Sequence, residues 1–120
     1  MAWIYVAITI ALTVYGQIVV KWQVLRKGAL PASLRGKGEF FAHLLTNPWV
    51  ISVLLGAFIA ALSWMAAMTR LPLSRAYPFV GLSFALVLLL SSVFFNEALT
   101  ATKIVGVGLI VAGIVVGSQV

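Results

Sequence analysis

Four polar side chains recur at intervals of four near the start of the chain: Thr9, Thr13, Gln17 and Lys21. On a helix that spacing lays them along one slowly drifting face, which makes the stripe a candidate binding surface. Hydroxyls, an amide and an ammonium can donate hydrogen bonds and hold an anion. Against that reading, the threonines can bond their own backbone and Lys21 can snorkel toward headgroups from near a helix end. Gln17 is harder to dismiss, since an unpaired amide in an apolar setting costs on the order of 2 kcal/mol or more. A second group follows at Arg75, Ala76, Tyr77 and Pro78, where Tyr77 sets a hydroxyl beside a proline expected in the first turn of a helix. Trp64 could line the same space with a large apolar surface, although packing against neighbouring helices also accounts for it. The candidate binding residues are therefore Thr13, Gln17, Lys21, Trp64, Arg75 and Tyr77. No catalytic centre, metal site or cofactor is expected, because there are no cysteines, one histidine and two acidic residues.

What must position these residues follows from composition. The 120 residues are 63% hydrophobic and 8% charged, with a mean hydropathy of +1.17. Soluble chains carry about 25% charged residues, so this one lacks the polar surface that a globule shows to water. It reads as a membrane protein. Four uncharged stretches, Ala2 to Val20, Leu44 to Thr69, Ala76 to Asn96 and Ile104 to Val120, hold 19, 26, 21 and 17 residues. A bilayer crossing takes about 20 apolar residues. The runs are too long and too evenly apolar for barrel strands, and helices satisfy their own backbone in hydrocarbon. The expected fold is an all-α membrane protein, a single four-transmembrane-helix bundle over residues 1–120 with helices at about 3–24, 49–68, 76–95 and 103–119. No basic residue precedes the first run and no small-residue cleavage site follows it, so it reads as a retained helix and not a signal peptide. Trp3, Tyr5, Trp22 and Trp49 fall near helix ends, where amphipathic rings anchor at the headgroup layer.

Residues 25–47 form the one sizeable connection, a basic loop. Its second half, Gly38 to Leu45, could be a short interfacial helix ended by Asn47-Pro48. His43 lies there without a second ligand nearby and reads as an interfacial histidine. Arg26, Lys27, Arg35, Lys37 and Lys103 lie on one side of the bundle, against Arg70 and Arg75 on the other. The positive-inside rule puts the richer side in the cytoplasm and both termini outside. Thr100 is expected to cap the fourth helix. Gly106, Gly108, Gly113 and Gly117 fall on that helix, and Gly113 to Gly117 is a small-xxx-small spacing that lets helices approach in lipid. Four helices are too few to enclose an obvious path, which favours association through this helix.

The run Leu71-Pro72-Leu73-Ser74-Arg75-Ala76-Tyr77-Pro78, then Phe95-Asn96-Glu97-Ala98-Leu99-Thr100 with Lys103, Gly106, Leu109-Ile110 and Gly113, resembles the closing half of EamA-type domains of the drug/metabolite transporter superfamily. Four helices in this length also resemble the small multidrug resistance proteins, which work as dimers. Those exporters carry a membrane-embedded glutamate in the first helix, three residues before a glycine. Aligning Gly16 and Lys21 with that family's glycine and lysine puts Thr13 at the glutamate position. Glu39 and Glu97 both fall in loops, so the carboxylate for proton-coupled export of cationic drugs is missing. Val14-Tyr15-Gly16-Gln17 with Lys21, plus Ala76-Tyr77-Pro78, is instead similar to the small subunits of flippases for undecaprenyl-phosphate-linked aminoarabinose. That resemblance implies movement of an anionic polyprenyl-phosphate glycolipid across a bacterial inner membrane, by a homodimer or by a heterodimer with a related small membrane protein. The net charge of +6 suits an anionic lipid, with no nucleic-acid partner expected. Under this reading Lys21 and Arg75 receive the phosphate at opposite interfaces, and Gln17 and Tyr77 bond the sugar. Pro78, Glu97, Gly108, Gly113 and Gly117 take structural or gating roles, Glu97 through an ion pair with Lys21 or as a helix cap. The alternatives are a small multidrug resistance-type exporter of cationic compounds and a non-transporting scaffold subunit.

Overall fold

The computed structural model describes residues 2–118, and no strand occurs among them. Six helices follow in order: α1 (Ala2–Lys27), α2 (Leu34–Leu45), α3 (Pro48–Met68), α4 (Leu73–Val80), α5 (Leu82–Phe94) and α6 (Ala101–Gly117). Three spans are long and apolar enough to cross a membrane: Ala2–Lys27, Pro48–Met68 and the continuous stretch Leu73–Phe94. α6 is a shorter apolar helix of 17 residues.

α1 holds 26 residues, about 39 Å of helix at 1.5 Å per residue, against a hydrocarbon layer of about 30 Å. The surplus turn carries Arg26 and Lys27 and stops at Gly28, whose φ of 94° is open to glycine. This runs past the expected end at residue 24. Ser33 then caps α2, its hydroxyl accepting from the Gly36 N–H at 3.0 Å. The cap starts the helix at Leu34, four residues before the expected Gly38, and puts Arg35 and Lys37 on it. Asn47 caps α3 by accepting from the Trp49 N–H at 2.8 Å, with Pro48 in the first turn.

The third expected helix is corrected most. It begins at Leu73, ahead of residue 76, and breaks at Gly81 into α4 and α5. Pro78 is therefore inside α4 and not in a first turn. Its ring removes one backbone donor and crowds the preceding turn, and the chain leaves the α-helix three residues later. Thr100 caps α6 by accepting from the Lys103 N–H at 3.2 Å, so this helix starts at Ala101, ahead of the expected residue 103. The expected end at Gln119 lies outside the described residues.

α1 is the centre of the packing. It lies along α3 for most of its length and also touches α2, α4 and α5, while α6 packs against α4 and α5. Val6, Ile10 and Val14 of α1 form the core with Ala67 and Ala76, and Trp64, Phe79 and Val87 close around it. Small residues set the helix spacing. A Cβ at Gly16 would lie 3.2 Å from Val53 Cγ1, whereas one at Gly113 of α6 would meet nothing within 4 Å. Gly16→Leu is therefore expected to destabilise the bundle by about 1–3 kcal/mol through overpacking, while Gly113→Ala stays within about 0.5 kcal/mol. Thermal unfolding in detergent, followed by circular dichroism, checks both.

Candidate functional site

Residues four apart on a helix are offset by about 40°, so the stripe from Thr9 to Lys21 turns as it climbs α1. The packing of α1 between α3 and α5 converts that drift into a change of neighbour. Near its start the stripe faces α3, across a cleft of ≈ 560 Å³ lined by Thr9, Thr13, Gly16, Gln17, Ala60 and Trp64. One turn further it faces α4 and α5, across a cleft of ≈ 520 Å³ lined by Thr13, Gln17, Tyr77, Pro78, Ser83 and Phe84. At its end a third cleft of ≈ 410 Å³ holds Gln17, Lys21, Phe84, Ser91 and Glu97. Gln17 borders all three, and Gln17, Phe84 and Val87 are shared by the last two. The result is one groove along α1 and α5, from Tyr77 at one end to Lys21 and Glu97 at the other.

The hydrogen bonds separate occupied groups from available ones. Thr9 donates to the Tyr5 carbonyl at 2.9 Å and lies 3.3 Å from the Ala60 carbonyl, and Thr13 donates to the Thr9 carbonyl at 2.7 Å. Their protons are spent on backbone, which leaves only acceptor capacity facing the groove. Ser83 and Ser91 likewise donate to Val80 and Leu88, at 2.6 and 3.0 Å. The Gln17 and Tyr77 side chains make no hydrogen bond among the described residues, and Tyr77 packs edge-on to Trp64 at 6.0 Å between ring centroids. Both are exposed along the groove, Tyr77 at 61%.

The groove's charged groups stand at one end. Lys21 Nζ is 4.0 Å from Glu97 Oε1, with both side chains near half exposed. A pair so open contributes about 0–1 kcal/mol to stability. Arg75 lies outside the three cleft linings, with its guanidinium 5.9 Å from the Trp3 ring centre. Eighteen residues of helix separate Trp3 from Lys21, about 27 Å, so the two cations are held roughly one hydrocarbon thickness apart. Trp22 and Trp49 meet edge-on at 5.2 Å on the Lys21 end, and Trp3 meets Phe79 at 4.8 Å on the other. The structure thus brings Thr13, Gln17, Lys21, Trp64, Tyr77, Pro78 and Glu97 to one groove. It leaves Gly108 and Gly113 on α6, facing open space, while a Cβ at Gly117 would lie 4.0 Å from the Pro78 ring. His43 is exposed on α2, and no group of three potential ligands could hold a metal among the described residues.

Sequence reasoning missed a second polar contact. Gln23, 4% exposed, accepts through Oε1 from the Asn47 amide at 3.0 Å and ties α1 to the start of α3. Its Nε2 is buried without a partner. The available signal was an amide near the end of an apolar helix and a second one just before Pro48. Tyr15 and Ser52 make a further link between the same helices at 2.7 Å.

A groove between packed helices, with polar groups along α1 and a charged pair at one end, is the arrangement of a membrane carrier. The chain belongs to the EamA-like transporter family, whose profile matches residues 2–118. It is 37% identical over 109 residues to a protein of Yersinia enterocolitica described as "Probable 4-amino-4-deoxy-L-arabinose-phosphoundecaprenol flippase subunit ArnF", covering 88% of this chain and 84% of that one. A Pseudomonas aeruginosa protein of the same description is 37% identical, over 82% and 70% of the two chains. An Aeromonas hydrophila protein described as the corresponding subunit ArnE is 34% identical, over 76% and 79%. No solved structure matches the chain.

Because the protein has no native cysteine, water in the groove can be mapped with single thiols. Gln17→Cys is expected to react with a hydrophilic maleimide at least tenfold faster than Val14→Cys, which lies in the core. Equal rates at the two positions mean a dry groove.

Proposed function

We propose that this protein is one small subunit of a flippase that carries a polyprenyl-phosphate-linked sugar across the bacterial inner membrane. The observation that supports this most is the groove that runs past Gln17 between the Tyr77 end and the Lys21 end. A lipid-linked sugar presents a polar headgroup that must pass about 30 Å of hydrocarbon and a tail that need not leave it. A lateral groove suits both. Hydrogen-bonding groups without partners, Gln17 and Tyr77, line it, with Lys21 at one end and Arg75, outside the lining, near the Tyr77 end to receive the phosphate. In this reading Lys21 takes the phosphate on the cytoplasmic side, Gln17 and Tyr77 exchange hydrogen bonds with the sugar in transit, and Arg75 releases it outside. α6 forms the fourth crossing, and both termini lie in the periplasm, as the cation excess of the α1–α3 and α5–α6 connections favours.

A single copy is an incomplete carrier. It exposes 8020 Å², against about 6300 Å² for a compact soluble monomer of its mass, and the glycine face of α6 is unpacked within the chain. Pairing with a second small subunit, identical or related, along α6 completes the wall. Export of cationic drugs is disfavoured by Thr13, which stands where such exporters need a carboxylate.

Reconstitution with a labelled polyprenyl-phosphate sugar tests the mechanism. Lys21→Ala and Arg75→Ala are each expected to slow transbilayer movement at least tenfold, about 1.4 kcal/mol of barrier. Unchanged rates in both variants exclude the two-station mechanism.

A further inference from the structure

Lys21 and Glu97 can be read together as a structural ion pair, but several features of this one fit a ligand better. Both side chains line the same cleft, beside Gln17 and Ser91, and both are near half exposed. Their 4.0 Å separation is at the outer limit of an ion pair, so the contact is loose and easily exchanged. The acid is held more firmly than the pair. Asn96 adopts the left-handed region at φ 53°, directly before Glu97. On the near side the Phe95 N–H bonds the Ser91 carbonyl at 3.0 Å, and on the far side Lys103 Nζ donates to the Ala98 carbonyl at 3.0 Å. The nearby cation of α6 is thus directed to a backbone carbonyl, and among the described residues Lys21 is the ionic partner of Glu97. The other acid, Glu39, pairs with Arg35 on α2 at 3.7 Å, away from the groove. Glu97 is therefore the groove's single carboxylate.

A lone cation at this end would be a poor selector. Every phospholipid in the surrounding bilayer carries a phosphate, and Lys21 alone would accept any of them. A carboxylate 4 Å away changes the outcome. It repels a headgroup that brings only negative charge and leaves its own charge unpaired beside it, which disfavours lipids whose headgroup carries no cation. A headgroup with a phosphate and, on its far side, an ammonium replaces one internal ion pair by two external ones. The cleft, at ≈ 410 Å³, is within the range of small-ligand sites.

We infer that Lys21 and Glu97 together form a selectivity site for a zwitterionic glycolipid headgroup, with Lys21 holding the phosphate and Glu97 the protonated amine of an aminosugar. In the empty protein each residue occupies the other's ligand position. The inference builds on the flippase-subunit reading above and adds the charge pattern of the cargo. Lys21 stands within α1, six residues before its end, and Glu97 stands in the connection past the end of α5, so the phosphate next to the lipid tail is assigned to Lys21 and the sugar's far side to Glu97.

The test uses the purified full-length protein with any subunit that co-purifies, in phosphatidylcholine vesicles. Two lipids are compared: a polyprenyl phosphate bearing 4-amino-4-deoxyarabinose, and the same lipid with the amine acetylated, which keeps the phosphate and removes the positive charge. Wild type is expected to move the amine lipid at least tenfold faster than the acetylated one. Glu97→Gln is expected to abolish that preference by slowing the amine lipid at least tenfold, with the acetylated lipid moving as in wild type or faster. Lys21→Gln is expected to slow both. The doubly exchanged variant Lys21→Glu with Glu97→Lys, which retains an ion pair, is expected to elute as wild type on size exclusion without recovering the preference. Recovery of the preference in that variant makes the pair structural and overturns the inference. So does equal movement of the two lipids by wild type, or equal slowing of both by Glu97→Gln; these results leave the flippase reading intact. Movement of neither lipid by wild type removes the flippase reading and the selectivity site with it.

Discussion

A polar side chain surrounded by hydrocarbon must find a partner or a wet cleft, and α1 carries four of them over three turns. The rest of the bundle is arranged around that requirement. Thr9 and Thr13 satisfy their protons on the backbone of their own helix, and Thr9 also approaches the Ala60 carbonyl of α3. Gln17 has no such escape, because an amide carries two donors and an acceptor that a helix backbone does not use. The structure leaves open space where it points, between α3 on one side and α5 on the other. Close packing elsewhere makes that space possible: Gly16 lets α1 approach Val53, and the buried Ala67 and Ala76 draw the ends of α3 and α4 onto the core.

Two side-chain contacts tie α1 to α3. At the Lys21 end, Gln23 and Asn47 join α1 to the first turn of α3 through a nearly buried amide pair. At mid-helix, Tyr15 and Ser52 repeat the link. Both hold α1 to α3, so the face of α1 toward α5 is the looser one. The break at Gly81, three residues past Pro78, lies on that same side and separates α4, which carries Tyr77, from α5, which carries Ser83 and Ser91. Gly81 keeps helical dihedrals, φ −57° and ψ −24°, and its N–H bonds the Pro78 carbonyl at 3.0 Å, so the interruption is one tight turn beside the groove.

The electrostatics complement this geometry. Lys21, in the second half of α1, and Arg75, in the first turn of α4, lie about one hydrocarbon thickness apart, and the polar groups Gln17 and Tyr77 are neutral. In the proposed mechanism an anion is received at either end without meeting a fixed charge in the middle that would trap it. Glu97 is the exception that introduces selection, and it does so at one end only.

Several of these features are legible in the amino-acid order because they depend on one dimension. Hydrocarbon thickness and the absence of charge give the apolar spans, helix periodicity puts Thr9, Thr13, Gln17 and Lys21 on one face, and Ser, Asn and Thr before apolar runs mark where helices begin. The EamA-like motif around Tyr77 and Glu97 is legible for the same reason. What the order of residues leaves open is which neighbour each face meets. Whether Gln17 looks at α3, at α5 or at both depends on the angle at which three helices pack, and that angle is set by small residues such as Gly16 and Ala76 far apart in the chain. The Gln23–Asn47 contact and the approach of Glu97 to Lys21 are likewise products of packing. Tertiary structure decided them because each joins residues that no helical period relates.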